Sequence, residues 1–181
     1  MRLHSQIVDG FLEDFHRWRA WLDAARYDDF VSEVDGVTYP GICAPLPGEL
    51  QEELRFKLQA VAGLQRMNWL FARLSVLGAH PPHWAHHDAS MGAWSMMLYM
   101  NRAEHCDGGT ALLRHKQDEI TQEQWARDTN RPERWHLESV CPMAPNRAFI
   151  FRADQWHAAM PLGGFGGDVR DGRLVITAFF E

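Results

Sequence analysis

Cysteine is scarce in this chain of 181 residues, which contains only three. Cys43, Cys106 and Cys141 are scattered, odd in number and without C-x-x-C spacing. This pattern disfavours both a disulfide framework and a cysteine-based zinc site. It fits a reducing compartment, and we therefore expect a cytoplasmic protein.

Long apolar runs and an excess of basic residues are also missing. The N-terminal stretch MRLHSQIVDGFLEDF lacks the apolar segment of a signal peptide, and no later run could span a bilayer. With 24 acidic and 18 basic residues the net charge is −6, whereas a protein that follows a nucleic-acid backbone carries a basic face. We expect neither a membrane nor a nucleic acid as a partner.

A single domain over residues 1–181 is expected from the length and from the absence of repeats or linkers. The pattern changes near residue 67. Before it, the runs FLEDFHRWRAWL and GELQEELRFKLQAV place apolar residues at helical spacing. A connection rich in proline and glycine separates them. Residues 1–66 are thus predicted to be a helical N-terminal part that covers the core.

Residues 67–181 are typical of strands and turns. Short apolar or alternating runs are bounded there by glycine, asparagine, aspartate or proline: WLFARLSVL, WSMMLYM, TALLRH, RAFIFR and RLVITAFF. One helical insertion is predicted in TQEQWARDTNRPERW, where Thr121 and Gln124 have the spacing of a capping box. The pattern predicts a mainly β fold, a jelly-roll core with N-terminal covering helices and one helical insertion.

The stretch PPHWAHHDAS, residues 81–90, offers candidate metal ligands. If it is extended, as its two prolines favour, residues two apart share a face. His86 and Asp88 then lie on one face and can bind one ion together. Trp84 lies on the same face, while His87 points away. A single His-x-Asp pair also arises by chance among ten histidines and 24 acidic residues, so the pair needs a further ligand.

His157, in FRADQWHAAMP, is the candidate third ligand. Two histidines and one carboxylate form the facial triad of non-haem Fe(II) oxygenases, whereas zinc favours a closed set of four ligands. Arg173 begins the last strand, where alternation places it on one face with Val175 and Thr177. An arginine that points into an apolar interior needs an anionic partner, and its guanidinium group suits a carboxylate.

This set of residues resembles the 2-oxoglutarate/Fe(II)-dependent dioxygenase superfamily over roughly residues 70–181, in its prolyl-hydroxylase-like branch. The landmarks follow the order of that superfamily: His86 and Asp88, the strand ending LYMN that leads to Gly108-Gly109, NRAFIF before His157, and Gly172-Arg173. Four landmarks in order are more specific than any one of them. The runs GGTALLRH, NRAFIF and GRLVITAFF are most similar to a group of small bacterial members.

The resemblance implies a double-stranded β-helix with Fe(II) held by His86, Asp88 and His157 at one mouth of the barrel. It implies that Arg173 binds the distal carboxylate of 2-oxoglutarate, that O2 is the second co-substrate and that ascorbate can serve as reductant. Oxidative decarboxylation to succinate and CO2 then drives hydroxylation of an unactivated C–H bond, or demethylation through it. Members that halogenate have a small residue in place of Asp88, so hydroxylation is favoured here.

Four further residues are weaker candidates. Tyr99 and Thr177 carry hydroxyl groups that can face the barrel interior and contact 2-oxoglutarate, although a core role with a local hydrogen bond fits each equally well. Trp84 and Trp156 could wall a substrate pocket, with core packing as the equal alternative.

Three functions stay open from the sequence. The first is the dioxygenase, acting on a small molecule or on a residue of a peptide or protein. The second is a cupin-like metalloenzyme with the same triad, which has no need of Arg173 because it does not use 2-oxoglutarate. The third is a binding domain that retains an inactive site. The sequence does not indicate the substrate or the oligomeric state.

Overall fold

The structure is a computed structural model that describes residues 5–33, 36–79 and 82–181. Ten strands lie in these ranges: β1 (Ser5–Asp9), β2 (Asp28–Val31), β3 (Thr38–Cys43), β4 (Met67–Ser75), β5 (Trp94–Tyr99), β6 (Gly109–His115), β7 (Trp135–Pro142), β8 (Arg147–Arg152), β9 (His157–Met160) and β10 (Arg173–Phe180). The helices are α1 (Phe15–Ala24), α2 (Gly48–Ala62), α3 (Gln122–Asp128) and two short 3-10 helices, Ala103–His105 and Pro132–Arg134. None of the helices in these ranges is long and apolar enough to cross a membrane.

Two antiparallel sheets form the β core. The larger has seven strands in the order β1-β8-β5-β10-β4-β3-β2, and the smaller has three in the order β7-β6-β9. His86 forms an isolated antiparallel bridge with His157 at the free edge of β9, so the segment before Asp88 takes a further strand position beside the smaller sheet. Neighbouring strands come from distant parts of the sequence, as in a jelly roll. The predicted fold, mainly β and of the jelly-roll type, is confirmed.

Strand β10 is buried along its whole length and separates two apolar cores. Leu174 and Ile176 pack into the core formed with the helices, whereas Val175 packs into the core between the sheets. Arg173 and Thr177 share the alternation of Val175 and therefore face the space between the sheets. The predicted alternation of this strand is confirmed, and it is what brings an arginine into the interior.

Helices α1 and α2 cover the outer face of the larger sheet. Leu50, Leu54 and Leu58, at helical spacing on α2, are fully buried in that outer core. The predicted insertion forms as α3, and Thr121 and Gln124 make the capping box that their spacing predicted.

The first 66 residues also contribute β1, β2 and β3, which extend the larger sheet at both edges. In the sequence, Pro40 and Gly41 of β3 indicated a connection rather than a strand. Gly41 has a φ of +72°, and a Cβ atom there would lie 2.0 Å from the carbonyl oxygen of Leu74. Glycine therefore permits the close pairing of β3 with β4. Strand β2 is exposed throughout and so shows no alternating pattern.

The Gly108-Gly109 pair lets β6 lie between its two neighbours. A Cβ atom on Gly108 would lie 2.1 Å from the carbonyl oxygen of Met160, and one on Gly109 would lie 2.1 Å from that of Cys141. These contacts leave no room for side chains at either position. Thr110, the next residue of β6, is buried and lines the space between the sheets.

Candidate metal centre

A pair of backbone hydrogen bonds sets the two candidate histidine ligands side by side. The backbone N–H of His86 donates to the carbonyl oxygen of His157 at 3.0 Å, and the N–H of His157 donates back at 2.8 Å. Their ring centroids are 4.3 Å apart. Residues 82–88 are not a regular strand apart from this bridge, and Pro81, part of the sequence argument for an extended run, lies outside the described residues.

Asp88 completes a cluster of three groups that could hold one metal ion. Its Oδ1 lies 3.8 Å from Nε2 of His86, and its Oδ2 lies 3.3 Å from Nε2 of His157. All three candidate ligand atoms lie within 4.8 Å of one another. The backbone N–H of Asp88 donates to the carbonyl oxygen of Ala153, and the hydroxyl of Ser95 donates to Oδ2 at 3.1 Å, so the carboxylate is fixed from two sides.

The hydrogen bonds behind the two imidazole rings determine their tautomers. Nδ1 of His86 lies 3.0 Å from the carbonyl oxygen of Trp84, and Nδ1 of His157 lies 3.0 Å from that of Gln155. A carbonyl oxygen only accepts, so each Nδ1 carries the hydrogen and each Nε2 presents a lone pair to the cluster. Nε2 of His157 is buried without a hydrogen-bond partner among the described residues. Two lone pairs facing a carboxylate fit a divalent cation.

The protonation states of the cluster also suit a metal. The pKa of His86 is lowered to about 4, mainly by burial and then by repulsion from His157. Burial alone would raise the pKa of Asp88, but His157, His86 and the hydrogen bond from Ser95 together lower it to about 2. At neutral pH His86 is neutral and Asp88 is ionised, the states that metal binding requires.

His87 is excluded from the cluster by the direction of its side chain. It is exposed, and its ring contacts Trp156 with centroids 4.5 Å apart. Alternation predicted this separation from His86 and Asp88.

A cavity between the sheets opens beside the cluster, with His86 and His157 in its wall. Most of that wall is apolar: Phe71, Met97, Val175 and Phe179. A metal ion held by this cluster would have protein ligands on one side and an open cavity on the other, an arrangement that leaves room for further ligands.

Arg173 lies in the wall of the same cavity and is 6% exposed. Its Nη2 donates to Oγ1 of Thr110 at 3.2 Å, while its Nε has no hydrogen-bond partner among the described residues. Burial lowers the pKa of its guanidinium group, but an arginine keeps its charge at neutral pH. A buried cation without a carboxylate partner in the described chain suits an anionic ligand.

Of the two candidate hydroxyl groups, only that of Thr177 belongs to a residue in the cavity wall. It lies 3.5 Å from the sulfur atom of Met97. Tyr99 is fully buried, and its hydroxyl lies 2.8 Å from Oγ1 of Thr110 and 3.2 Å from the carbonyl oxygen of Cys141. In this arrangement Tyr99 supports Thr110, which in turn holds Arg173.

The two candidate tryptophans lie in different places. Trp84 lines a smaller opening together with His86 and Arg173, and its indole N–H donates to the carbonyl oxygen of Ala159 at 2.8 Å. Trp156 is not among the residues that line either opening. It packs against Trp135, with ring centroids 5.2 Å apart, as well as against His87.

Two residues of the cavity wall were not identified from the sequence. Thr110 gave no signal beyond its place after two glycines. Arg73 did give a signal, because it interrupts the apolar run WLFARLSVL with a charge. The same argument from alternation would have found it.

The sequence matches one protein family. Residues 2–139 match the family model described as "Family of unknown function (DUF6445)". The chain belongs to this family. None of the curated proteins matches it.

The DUF6445 chain is similar in fold to several solved structures. The non-heme alpha ketoglutarate dependent epimerase SnoN from nogalamycin biosynthesis is 15% identical over 97% of this chain and 77% of its own, with a TM-score of 0.59. A 2OG-Fe(II) oxygenase family oxidoreductase from Burkholderia pseudomallei is 10% identical over 99% and 86%, also with a TM-score of 0.59. A Pseudomonas putida prolyl-4-hydroxylase is 16% identical over 98% and 93%, with a TM-score of 0.50. The chain thus has the jelly-roll fold of 2-oxoglutarate/Fe(II) oxygenases together with a candidate His-Asp-His metal site.

Proposed function

We propose that this DUF6445 protein is an Fe(II)- and 2-oxoglutarate-dependent oxygenase that hydroxylates an unactivated C–H bond of a small molecule or of a peptide or protein residue. One relationship carries the proposal. Two histidines of the three-residue candidate metal cluster and a buried arginine without a carboxylate partner among the described residues line one cavity between the two sheets.

The donor set supports iron. His86, Asp88 and His157 would hold the ion through two nitrogen atoms and one oxygen atom, the facial set of non-haem Fe(II) oxygenases. Bound Fe(II) together with 2-oxoglutarate and O2 would supply the oxidant that breaks the C–H bond. Asp88, as a carboxylate, supports hydroxylation or demethylation rather than halogenation.

Arg173 supports the co-substrate. Its position at the start of β10 would let it bind the distal carboxylate of 2-oxoglutarate while Thr110 holds its Nη2. A guanidinium group binds a carboxylate through two parallel hydrogen bonds. The cupin-like alternative gives this buried charge no role, because its chemistry requires no second carboxylate in the cavity.

The apolar wall would serve the reaction by excluding water. Phe71, Met97 and Phe179 keep the cavity poorly solvated, which strengthens every charge interaction inside it. Thr177 would add a hydroxyl contact to the co-substrate, and Trp84 would border the substrate.

The structural neighbours support the same chemistry at the level of the fold. SnoN has been crystallised with Fe3+ and alpha ketoglutarate, and the Pseudomonas putida neighbour is a prolyl-4-hydroxylase. We propose, from the resemblance of its sequence landmarks, that the chain belongs to the prolyl-hydroxylase-like branch. A cytoplasmic location and ascorbate as reductant belong to the same proposal, and the three free cysteines fit such a location.

Uncoupled turnover tests the proposal without knowledge of the substrate. With Fe(II), ascorbate and O2, the protein should slowly convert 2-oxoglutarate to succinate, and the Asp88→Ala variant should not. Oxygen consumption that does not depend on 2-oxoglutarate would favour the cupin-like function. No consumption at all by the Fe(II)-loaded protein would favour the binding domain.

A further inference from the structure

Arg73 is a second guanidinium group in the cavity wall. It lies on β4 directly opposite Val175, while Ser75 lies opposite Arg173 in the same ladder. Paired residues of antiparallel strands share a face, so both arginines face the space between the sheets. Arg73 is two residue pairs nearer than Arg173 to the end of the ladder at Phe179.

The metal cluster lies toward that same end. Ser95, which hydrogen-bonds to Asp88, is paired with Phe179 on β10. Along the cavity face of the sheet, Arg173 is therefore farthest from the metal cluster, and Arg73 lies between Arg173 and the cluster. An anion held by Arg73 would lie beside the co-substrate and nearer to the metal.

Arg73 forms no ion pair within 4 Å in the part of the chain that the structure describes, although attraction to the more distant carboxylate of Asp88 raises its pKa against the larger effect of burial. Its Nε and Nη2 are buried without a hydrogen-bond partner there, and the ring of Tyr39, 5.7 Å from its Cζ, forms a cation–π contact. Burial and then repulsion from Arg173 lower its pKa to about 10, so it is charged at neutral pH. A buried and unpaired cation is costly to keep. In the proposed function Arg173 would hold the distal carboxylate of 2-oxoglutarate and the metal would hold the other, so Arg73 is left for a different anion.

The remaining wall limits what kind of anion fits. The residues that line the cavity include two guanidinium groups and no carboxylate, and Asp88 is committed to the metal. A single guanidinium charge matches one carboxylate, whereas a phosphate dianion would call for a second cation. A free amine beside the substrate carboxylate would meet positive charge instead of a partner.

Aromatic side chains on the same strand indicate the rest of the ligand. Phe71 lies two residues before Arg73 on the same face, with its ring 6.2 Å from that of Phe179. Trp69, two residues further, is 51% exposed. One face of β4 thus carries, in order, the half-exposed Trp69, Phe71 and the unpaired Arg73.

We propose that Arg73 binds the carboxylate of the primary substrate, and that this substrate is a carboxylic acid with an apolar or aromatic body and no amine next to the carboxylate. The proposal rests on the proposed oxygenase function, in which Arg173 is occupied by 2-oxoglutarate. Arg73 would orient the substrate so that its apolar body lies against Phe71 and Phe179, beside the metal cluster.

Calorimetric binding to the anaerobic protein loaded with Fe(II) and saturating 2-oxoglutarate tests this without turnover. The probes are 3-phenylpropanoate and octanoate, each compared with its own amide. The wild type should bind each acid roughly tenfold or more tightly than its amide, the size expected for hydrogen bonds to a charged group. Arg73→Gln should reduce that ratio to about one, and Arg73→Lys should retain part of it. Arg66→Gln, which removes an exposed arginine paired with Glu181, should leave the ratio unchanged.

Three outcomes would overturn the assignment. The first is a wild type that binds neither acid better than its amide, including no binding at all at millimolar concentration. The second is an unchanged ratio in Arg73→Gln. The third is a loss of 2-oxoglutarate affinity in Arg73→Gln as large as that in Arg173→Ala, which would make Arg73 a co-substrate residue.

A parallel titration separates this proposal from the oxygenase function. In the metal-free Arg173→Ala protein, acid binding must still depend on Arg73 even if 2-oxoglutarate never binds. Acid selectivity there with no 2-oxoglutarate binding in the wild type would reject the oxygenase and keep the carboxylate site. Binding of 2-oxoglutarate by the wild type, without selectivity for the acid in the metal-free Arg173→Ala protein, would support the oxygenase function and reject the carboxylate site.

Discussion

The carboxylate of Asp88 and the imidazole of His157 lie 3.3 Å apart, from Oδ2 to Nε2. The two residues are far apart in the sequence. Each is oriented by its own hydrogen bond: the hydroxyl of Ser95 donates to Asp88, and Nδ1 of His157 donates to the carbonyl oxygen of Gln155. Such a prearranged pair binds a cation without further ordering of its side chains.

Removal of one ligand should eliminate the metal. Asp88→Ala and His157→Ala should each abolish Fe(II) binding, measured by anaerobic equilibrium dialysis, because two remaining ligands hold a labile ion poorly. His87→Ala serves as the control and should bind Fe(II) as the wild type does, since that ring is exposed against Trp156. A His87→Ala protein as deficient as His86→Ala would contradict the assigned ligand set.

The two arginines near the last strand should behave differently. Arg173→Ala should weaken 2-oxoglutarate binding by about 3–5 kcal/mol, as when one member of a buried charge pair is lost. Arg170→Ala should cost less than about 1 kcal/mol, because Arg170 is 77% exposed and paired with Asp168. Titration of 2-oxoglutarate into the anaerobic Fe(II) protein, followed by its charge-transfer absorbance, measures both values.

The affinity for Fe(II) should be nearly unchanged in Arg173→Ala and in Arg170→Ala. Arg173→Lys should recover only part of the 2-oxoglutarate affinity that Arg173→Ala loses. Equal losses in the two alanine variants, or none in Arg173→Ala, would reject Arg173 as the co-substrate residue.

Without ligand, Arg173 should destabilise the fold. Arg173→Met removes a buried charge that has no carboxylate partner among the described residues and keeps much of its volume, so the free energy of unfolding should rise by about 1 kcal/mol or more. Saturating 2-oxoglutarate should stabilise the wild type and not the variant. Urea denaturation with and without 2-oxoglutarate measures both effects. A destabilised Arg173→Met protein would mean that the guanidinium group is satisfied within the fold.

Tyr99 should act through Thr110. Tyr99→Phe removes the hydroxyl that lies 2.8 Å from Oγ1 of Thr110, which holds Arg173, so 2-oxoglutarate affinity should fall by about 0.5–1.5 kcal/mol. Thr110→Val should cost more, since it removes the acceptor of Arg173 itself. The same titration measures both. If Tyr99→Phe lost as much affinity as Arg173→Ala, Tyr99 would contact the co-substrate directly, as the sequence had suggested.

Features set by local periodicity were predictable from the sequence. Helical spacing predicted α2, capping-box spacing predicted the start of α3, and strand alternation predicted both the face of Arg173 and the separation of His87 from Asp88. Each depends on residues a few positions apart, whose relative directions the backbone geometry fixes.

Features that depend on contacts between distant parts of the chain were not predictable from the sequence. Strand β1 went unrecognised because its pairing partner, β8, lies far along the chain. Strand β2 is exposed and has no alternating pattern, and Pro40 and Gly41 made β3 look like a connection. Neither the support that Thr110 gives Arg173 nor the packing of Trp156 among other aromatic rings could be inferred, since both depend on which strands become neighbours.

The sequence by itself determined that this chain is a mainly β protein in which alternation places His86 and Asp88 on one face and Arg173 on the face of Val175 and Thr177. That His157 joins His86 and Asp88 was implied by the family resemblance. Only the tertiary structure decided that the metal cluster lies beside a cavity, and that Arg73 shares that cavity with Arg173. Both depend on the register of β4 against β10, and a shift of one residue would have turned Arg73 to the opposite face of the sheet.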